Sequence, residues 1–300
     1  MLKFCSVCAG YGRKKVLQNI DLTYHEGFHV ILGSNGSGKT TLFRVGSGIL
    51  PPFEGSVEVL GENPYQMPSI KRQVGYLSHG AGMSTYLTVL ENLHFWARVQ
   101  KMPRKQFETR LEEFIHSLSL SDILHEKISR LSRGQFQRAA LAQTLLHDPK
   151  ILFLDEPTTG LDPTTARSLR DLLRRISKGR AIIYSTHNLH EASELANDIT
   201  FLRKGRVIAR GSLDELRNNQ SAIRRFCLKV NRDPREVFRS FAVEAIQDQR
   251  GWFIECQSDE ELGRIVEALI AHGMQVSEVR RLDDDLEQIF LQKEKEGYEY

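Results

Sequence analysis

Residues Gly33, Ser34, Asn35, Gly36, Ser37, Gly38, Lys39, Thr40 and Thr41 follow the pattern G-x-x-x-x-G-K-[ST]. Glycines at these spacings let the backbone curl until successive N–H groups face one anion, and a helix start adds its positive dipole end. Lys39 then neutralises the β- and γ-phosphates, while the Thr40 hydroxyl suits Mg²⁺. A second candidate cluster is Asp155 and Glu156, at the end of the apolar run Ile151–Leu154. A carboxylate at such a strand end lies beside the phosphate loop, because ligands of open α/β sheets sit at the carboxyl ends of strands. Asp155 would hold the Mg²⁺ shell, and Glu156 would orient and polarise an attacking water as general base. A Gly/Ser turn and a pair of solvated acids are the plain alternatives. The order strand, full motif, helix favours a nucleoside-triphosphate site.

Elements that would position these residues can be read on either side. Phe28–Leu32 is a short apolar strand leading into the loop, and the residues from Thr41 begin a helix. Strands are also expected up to Tyr11, over Val16–Leu22, over Gly55–Gly61 and over Lys71–Leu77. From Thr88 to about Leu124 apolar residues recur at three- and four-residue spacing, with Met102-Pro103 dividing two helices. Gly134–Leu146, Pro163–Ser177 and His190–Ala196 read as helices between the apolar strands Ile151–Leu154 and Ala181–Tyr184. Ile199–Arg203 and Arg206–Ala209 form a hairpin around Lys204-Gly205, and a helix starts near Ser212. Such alternation predicts a mostly parallel sheet covered on both faces.

Beyond about residue 220 the pattern becomes strand Ile223–Val230, helix Pro234–Ser240, strands Val243–Gln247 and Trp252–Cys256, helix Asp259–Ala271 and strand Gln275–Arg280. A last helix is expected over Leu286–Gln292. The order β-α-β-β-α-β is ferredoxin-like. The expected fold is thus an α/β nucleotide-binding core over residues 1–217, with a helical subdomain at about 84–130, and a small α+β domain over 218–300. The tail carries no titratable cluster and reads as a docking or dimerisation module.

Composition excludes several classes. The 300 residues carry a net charge of +3 and a pI near 8.6, with basic residues dispersed among nearly as many acids, so no nucleic-acid partner is expected. Cys5, Cys8, Cys227 and Cys256 match no secreted disulfide framework and read as buried or half-buried thiols in a reducing cytosol. No signal-peptide pattern opens the chain and no run approaches about eighteen apolar residues, so membrane work is expected to pass through a partner.

Leu131-Ser132-Arg133-Gly134-Gln135 stands between the helical insertion and the strand ending in Asp155. Here the chain resembles the ATP-binding subunits of ABC transporters, whose signature is LSGGQ; Arg133 replaces the first glycine. The resemblance covers the segments from Tyr11 to about Gly211. It implies that Ser132, Gly134 and Gln135 grip the γ-phosphate of ATP bound to a second copy, although Ser132 also suits a plain helix cap. It further implies that Tyr11 stacks on adenine beside Val16, unless Tyr11 is merely a turn tyrosine. Asp162, in Gly160-Leu161-Asp162, resembles the loop coupling the two sites, and His187 the switch histidine at the γ-phosphate. The family usually has a glutamine where His79 stands. Imidazole is a poor ligand for Mg²⁺, so His79 would couple sites without holding the metal. Haem-exporter ATPases are similar in the stretch Tyr76–His79, and Asp285–Leu291 resembles the closing segment of drug- and lipid-exporter ATPases. A helix merely packing in a core has the same spacing.

The resemblance implies an ATPase with ATP and Mg²⁺ as ligands, paired as a homodimer or with a paralogue. It would sit at the cytoplasmic face of a membrane and power export through a permease in a separate chain. Alternatives are an importer ATPase, a soluble ATPase of this family in translation or DNA repair, and a regulatory module that binds ATP without turnover.

Overall fold

The computed structural model describes residues 1–78, 82–218, 224–248 and 251–281. Its contacts divide the chain into two compact units, Met1–Arg210 and Gly211 onward. In chain order the first elements are β1 (Leu2–Tyr11), β2 (Lys14–Tyr24), β3 (Gly27–Leu32), α1 (Lys39–Gly46), β4 (Glu54–Val59) and β5 (Val74–Leu77). Helices α2 (Val89–Val99), α3 (Arg104–Ser117) and α4 (Arg133–Leu145) follow. The chain then alternates through β6 (Ile151–Asp155), α5 (Pro163–Ile176), β7 (Ala181–Thr186), α6 (Leu189–Leu195), β8 (Asp198–Arg203), β9 (Arg206–Gly211) and α7 (Leu213–Asn218).

Two sheets build the first unit. One has six strands in the order β5-β6-β7-β3-β8-β9, and the pairings from β5 through β8 are parallel. Every residue of β6 and β7 is buried, as expected of strands covered on both faces, which is why they read as unbroken apolar runs. β8 and β9 meet across Lys204 and Gly205, both at positive φ, the conformation a two-residue hairpin turn demands. The other sheet is antiparallel, order β2-β1-β4, and packs its buried residues into the same core as α1 and the centre of the parallel sheet.

Local signals explain the helices. Thr88 and Glu91 form a reciprocal capping box that starts α2. Ala166, Leu169, Leu172 and Leu173 make the buried stripe of α5. Lys71–Gln73, read from the sequence as the start of a strand, instead belongs to a 3-10 turn over Pro68–Gln73. Pro68 opens that turn, and pairing with β6 begins only at Val74 opposite Ile151.

The second unit continues with β10 (Arg224–Val230), α8 (Arg235–Ser240), β11 (Ala245–Asp248), β12 (Gly251–Cys256), α9 (Asp259–Ala271) and β13 (Val276–Arg281). Its sheet is antiparallel in the order β11-β12-β10-β13, the ferredoxin-like arrangement, over a core of Phe226, Phe238, Trp252, Ile254, Ile265 and Leu269. β11 starts two residues later than the alternation implied, because the Val243 N–H donates to the Phe238 carbonyl and ties that residue to the end of α8. None of the four cysteines is in a disulfide; Cys5 is half-buried and the others buried. The closing helix expected over Leu286–Gln292 lies outside the described residues.

Candidate nucleotide site

Strand register brings the chemistry to one edge of the parallel sheet. Leu32 of β3 lies opposite Thr186 of β7, and Ser185 of β7 opposite Asp155 of β6. The loops that follow, beginning at Gly33, His187 and Glu156, therefore leave three adjacent strands at their carboxyl ends.

Lys39 opens α1 and is buried. Its Nζ donates to the Gly33 carbonyl at 2.8 Å and the Ser34 carbonyl at 3.4 Å, and lies 3.3 Å from Oε1 of Glu156. Gly38, the residue before it, has φ 112, which a side chain would strain. Thr40 Oγ1 donates to Asp155 Oδ2 at 2.8 Å, and Ser185 Oγ donates to Asp155 Oδ1 at 2.7 Å. Thr40 and Asp155 are hard oxygen donors, the set that Mg²⁺ takes. Two such donors would leave the rest of an ion's shell to phosphate oxygens and water.

Glu156 adopts φ 50. Left-handed backbone at a non-glycine residue costs of order 1–3 kcal/mol and persists where neighbours over-determine it. Here the Glu156 N–H donates to Ser185 Oγ at 3.0 Å. Its Oε2 accepts from Thr159 Oγ1 at 3.2 Å and faces His187 Nδ1 at 3.3 Å. Burial pushes the Glu156 carboxyl up, but Lys39 and His187 outweigh it and hold the group below the usual carboxylate range.

A groove of about 850 Å³ runs from Tyr11 and Val16 to Asp155 and Glu156. Asn35, Gly36, Gly38, Lys39, Thr40 and Thr41 form its wall. Gly33 and Ser34 stand behind it as carbonyl acceptors for Lys39, and Ser37 is buried. Four lining residues went unread in the sequence, Lys14 among them. Arg44 Nη1 donates to the Tyr11 hydroxyl at 3.0 Å; Tyr76 OH reaches Asp155 Oδ2 at 3.5 Å; Ser78 completes the wall. Arg44 follows the loop by one helical turn, which was the available signal.

The remaining candidates lie elsewhere. Ser132 caps α4: its Oγ accepts from the Gln135 N–H at 3.3 Å, and Gln135 Oε1 accepts from the Ser132 N–H at 2.9 Å. Gly134 packs against Thr165. Arg133 lays its guanidinium over Gly160, so close that a Cβ there would sit 2.7 Å from Cζ. Asp162 caps α5 by accepting from the Thr165 N–H at 3.0 Å. Neither Ser132, Gly134, Gln135 nor Asp162 lines the groove of its own chain. His79 and Asp285–Leu291 lie outside the described residues.

A family model described as ABC transporter matches residues 17–159. The ABC transporter ATP-binding protein YxlF of Bacillus subtilis, itself uncharacterised, is 33% identical over 221 residues, covering 73% of this chain and 74% of that protein. The chain belongs to the ABC transporter ATP-binding family. The daunorubicin resistance ATP-binding protein DrrA3 of Streptomyces coeruleorubidus is 31% identical over 294 residues, 94% of this chain and 92% of its own. The molybdate/tungstate import ATP-binding protein WtpC of Pyrococcus horikoshii is 33% identical over 219 residues, 72% and 63%. Among solved structures, the ABC cassette MJ0796, a dimer in a post-hydrolysis state bound to ADP and phosphate, superposes with TM-score 0.64 at 26% identity. It covers 71% of this chain and 98% of its own. This ABC subunit binds ATP and is an ATPase.

Proposed function

We propose that this ABC subunit works in pairs, each copy completing the other's nucleotide site, and drives export through a permease carried on a separate chain. The observation that carries the hydrolytic half is the line Lys39–Glu156–His187, with both contacts at 3.3 Å, beside the Thr40–Asp155 contact at 2.8 Å.

In this reading Tyr11 stacks on adenine beside Val16, and the loop N–H groups from Ser34 to Thr41 cradle the phosphates. Lys39 turns its ammonium to the β- and γ-oxygens. Thr40 and Asp155 would hold Mg²⁺, which when bound would neutralise phosphate charge. Glu156, kept ionised by Lys39 and His187, accepts a proton from the attacking water. His187, more than half exposed at 55%, is free to meet the γ-phosphate. Ser132, Gly134 and Gln135 of the second copy close over it, with Asp162 alongside.

Export is favoured because the similarity to DrrA3 runs through 94% of the chain, the second unit included, whereas that to the import protein WtpC spans 72%. No helix among the described residues is long and apolar enough to cross a membrane, so contact with a bilayer would pass through the permease, at its cytoplasmic face. Import is the second reading, kept by the WtpC similarity; the direction of cargo movement in sealed vesicles separates the two.

The pairing is tested with Glu156→Gln. Light scattering with ATP and Mg²⁺ should give twice the mass of the protein alone. An unchanged mass with ATP bound would overturn it. Purification of the tagged chain from detergent-solubilised membranes should bring an integral-membrane chain with it; recovery of the subunit alone, at every detergent tried, would count against the permease.

A further inference from the structure

Behind Glu156 and His187 lies a buried carboxylate that the hydrolytic scheme does not use. Glu191, in the first turn of α6, is 5% exposed. Its Oε2 accepts three hydroxyls: Thr158 Oγ1 at 3.0 Å, Tyr184 OH at 3.1 Å and Thr186 Oγ1 at 2.9 Å. Its Oε1 meets Arg170 Nη1 at 3.3 Å. All three hydroxyl residues are buried, and burial together with the Glu191 charge drives the Tyr184 phenol far up, so it remains a donor. A carboxylate taken this far from water persists only with its lone pairs met, and here they are.

The partners come from both loops that build the reactive line. Thr158 is two residues after Glu156; Thr186 directly precedes His187 and also accepts from the Asn188 N–H at 2.9 Å. We infer that Glu191 is a positioning residue, which sets the separation of Glu156 and His187 by pinning both loops to one oxygen. This rests on the roles given above to Glu156 and His187. Ser185 already ties the strand ends, through Glu156 N–H at 3.0 Å and Asp155 Oδ1 at 2.7 Å; beyond them, Glu191 gathers hydroxyls from both loops on one oxygen. A glutamine at 191 keeps the shape, but its single acceptor oxygen can serve either the three hydroxyls or Arg170, the NH2 then facing the other set, and the charge is lost.

The charged groups facing Glu156 are Lys39 and His187, with Asp155 adjacent. Glu191→Gln should therefore lower kcat about ten- to a hundred-fold, the scale of a small misplacement of reacting groups. KM for ATP should stay within about two-fold, because Lys39 and the phosphate loop are not attached to the hub. Thr158→Val, which removes a single hydroxyl, should lower kcat by less with KM again unchanged, and serves where Glu191→Gln does not fold.

In a Glu156→Gln background, adding Glu191→Gln should reduce turnover no further. Full additivity there, or a folded Glu191→Gln or Thr158→Val enzyme with parental kcat, would overturn the inference. Failure of the underlying reading looks different: Glu156→Gln alone would then turn over normally.

Discussion

Nζ of Lys39 lies 3.3 Å from Oε1 of Glu156, while the other oxygen of the same carboxylate faces His187 Nδ1 at 3.3 Å. The carboxyl is flanked by two nitrogens, and their pull exceeds the opposing effect of burial, so its pKa is lowered from an ordinary 4.5. A general base works deprotonated, so turnover should persist at acid pH until the medium falls below that lowered value. His187→Asn removes one neighbour and should move the acid limb of kcat upward. The check is a kcat–pH profile at saturating ATP, and an unmoved limb contradicts the assignment. Stability follows the same sign: the Glu156 contribution is complete above the ordinary pKa and is lost as pH falls through the lowered one.

Thr40 and Asp155 touch at 2.8 Å, with Ser185 and Tyr76 hydroxyls on the same carboxylate. Removing divalent ions with a chelator should stop hydrolysis, and Mg²⁺ should restore it. Asp155→Asn should raise the Mg²⁺ concentration needed for half-maximal rate by ten-fold or more, on the order of 1.4 kcal/mol or above. A rate independent of Mg²⁺ would remove the proposed metal role.

Ser132 is a helix cap in its own chain, and losing such a cap costs about 1 kcal/mol. If Ser132 also reaches the second copy's phosphate, Ser132→Ala should lower turnover far beyond its effect on stability. Ser132→Thr or Ser132→Asn can restore the cap without restoring the same phosphate contact. Activity that tracks stability across these three variants would reduce Ser132 to its capping role.

Gly46, where α1 ends, faces two buried rings: a Cβ would lie 2.6 Å from Phe153 Cζ and 2.8 Å from Phe4 Cζ. Helix propensity alone favours alanine over glycine by about 1 kcal/mol. Overpacking typically costs about 1–3 kcal/mol, and two buried rings leave little room to yield. Gly46→Ala should thus lower the urea midpoint; an unchanged or raised midpoint would show that the rings can move aside.

Much of this arrangement was legible in residue order. β3, β6 and β7 are mostly apolar because both faces are covered, and the loops after them lead to Lys39, Glu156 and His187. α9 was legible to its ends, since Ser258 caps it and three acids fill its first turn. The separate antiparallel sheet was not legible: Leu2 pairs with Val59, and alternation within a strand carries no record of so distant a partner. Lys71–Gln73 was read as the start of the strand that begins at Val74, because nothing in those three residues marks the end of the 3-10 turn Pro68 opens. Glu191 escaped for the same reason as the sheet: its partners Thr158, Tyr184 and Thr186 are ordinary residues until the fold gathers them. Arg133, an evident departure from the family pattern, gained its meaning only when its guanidinium was found against Gly160.

The account turns on Glu156 as the base of ATP hydrolysis, and steady-state turnover of Glu156→Gln measures it most directly. The variant should still bind ATP while kcat falls about a hundred-fold or more, the scale of a lost general base. Hydrolysis by folded, ATP-binding Glu156→Gln at the parental rate would contradict it.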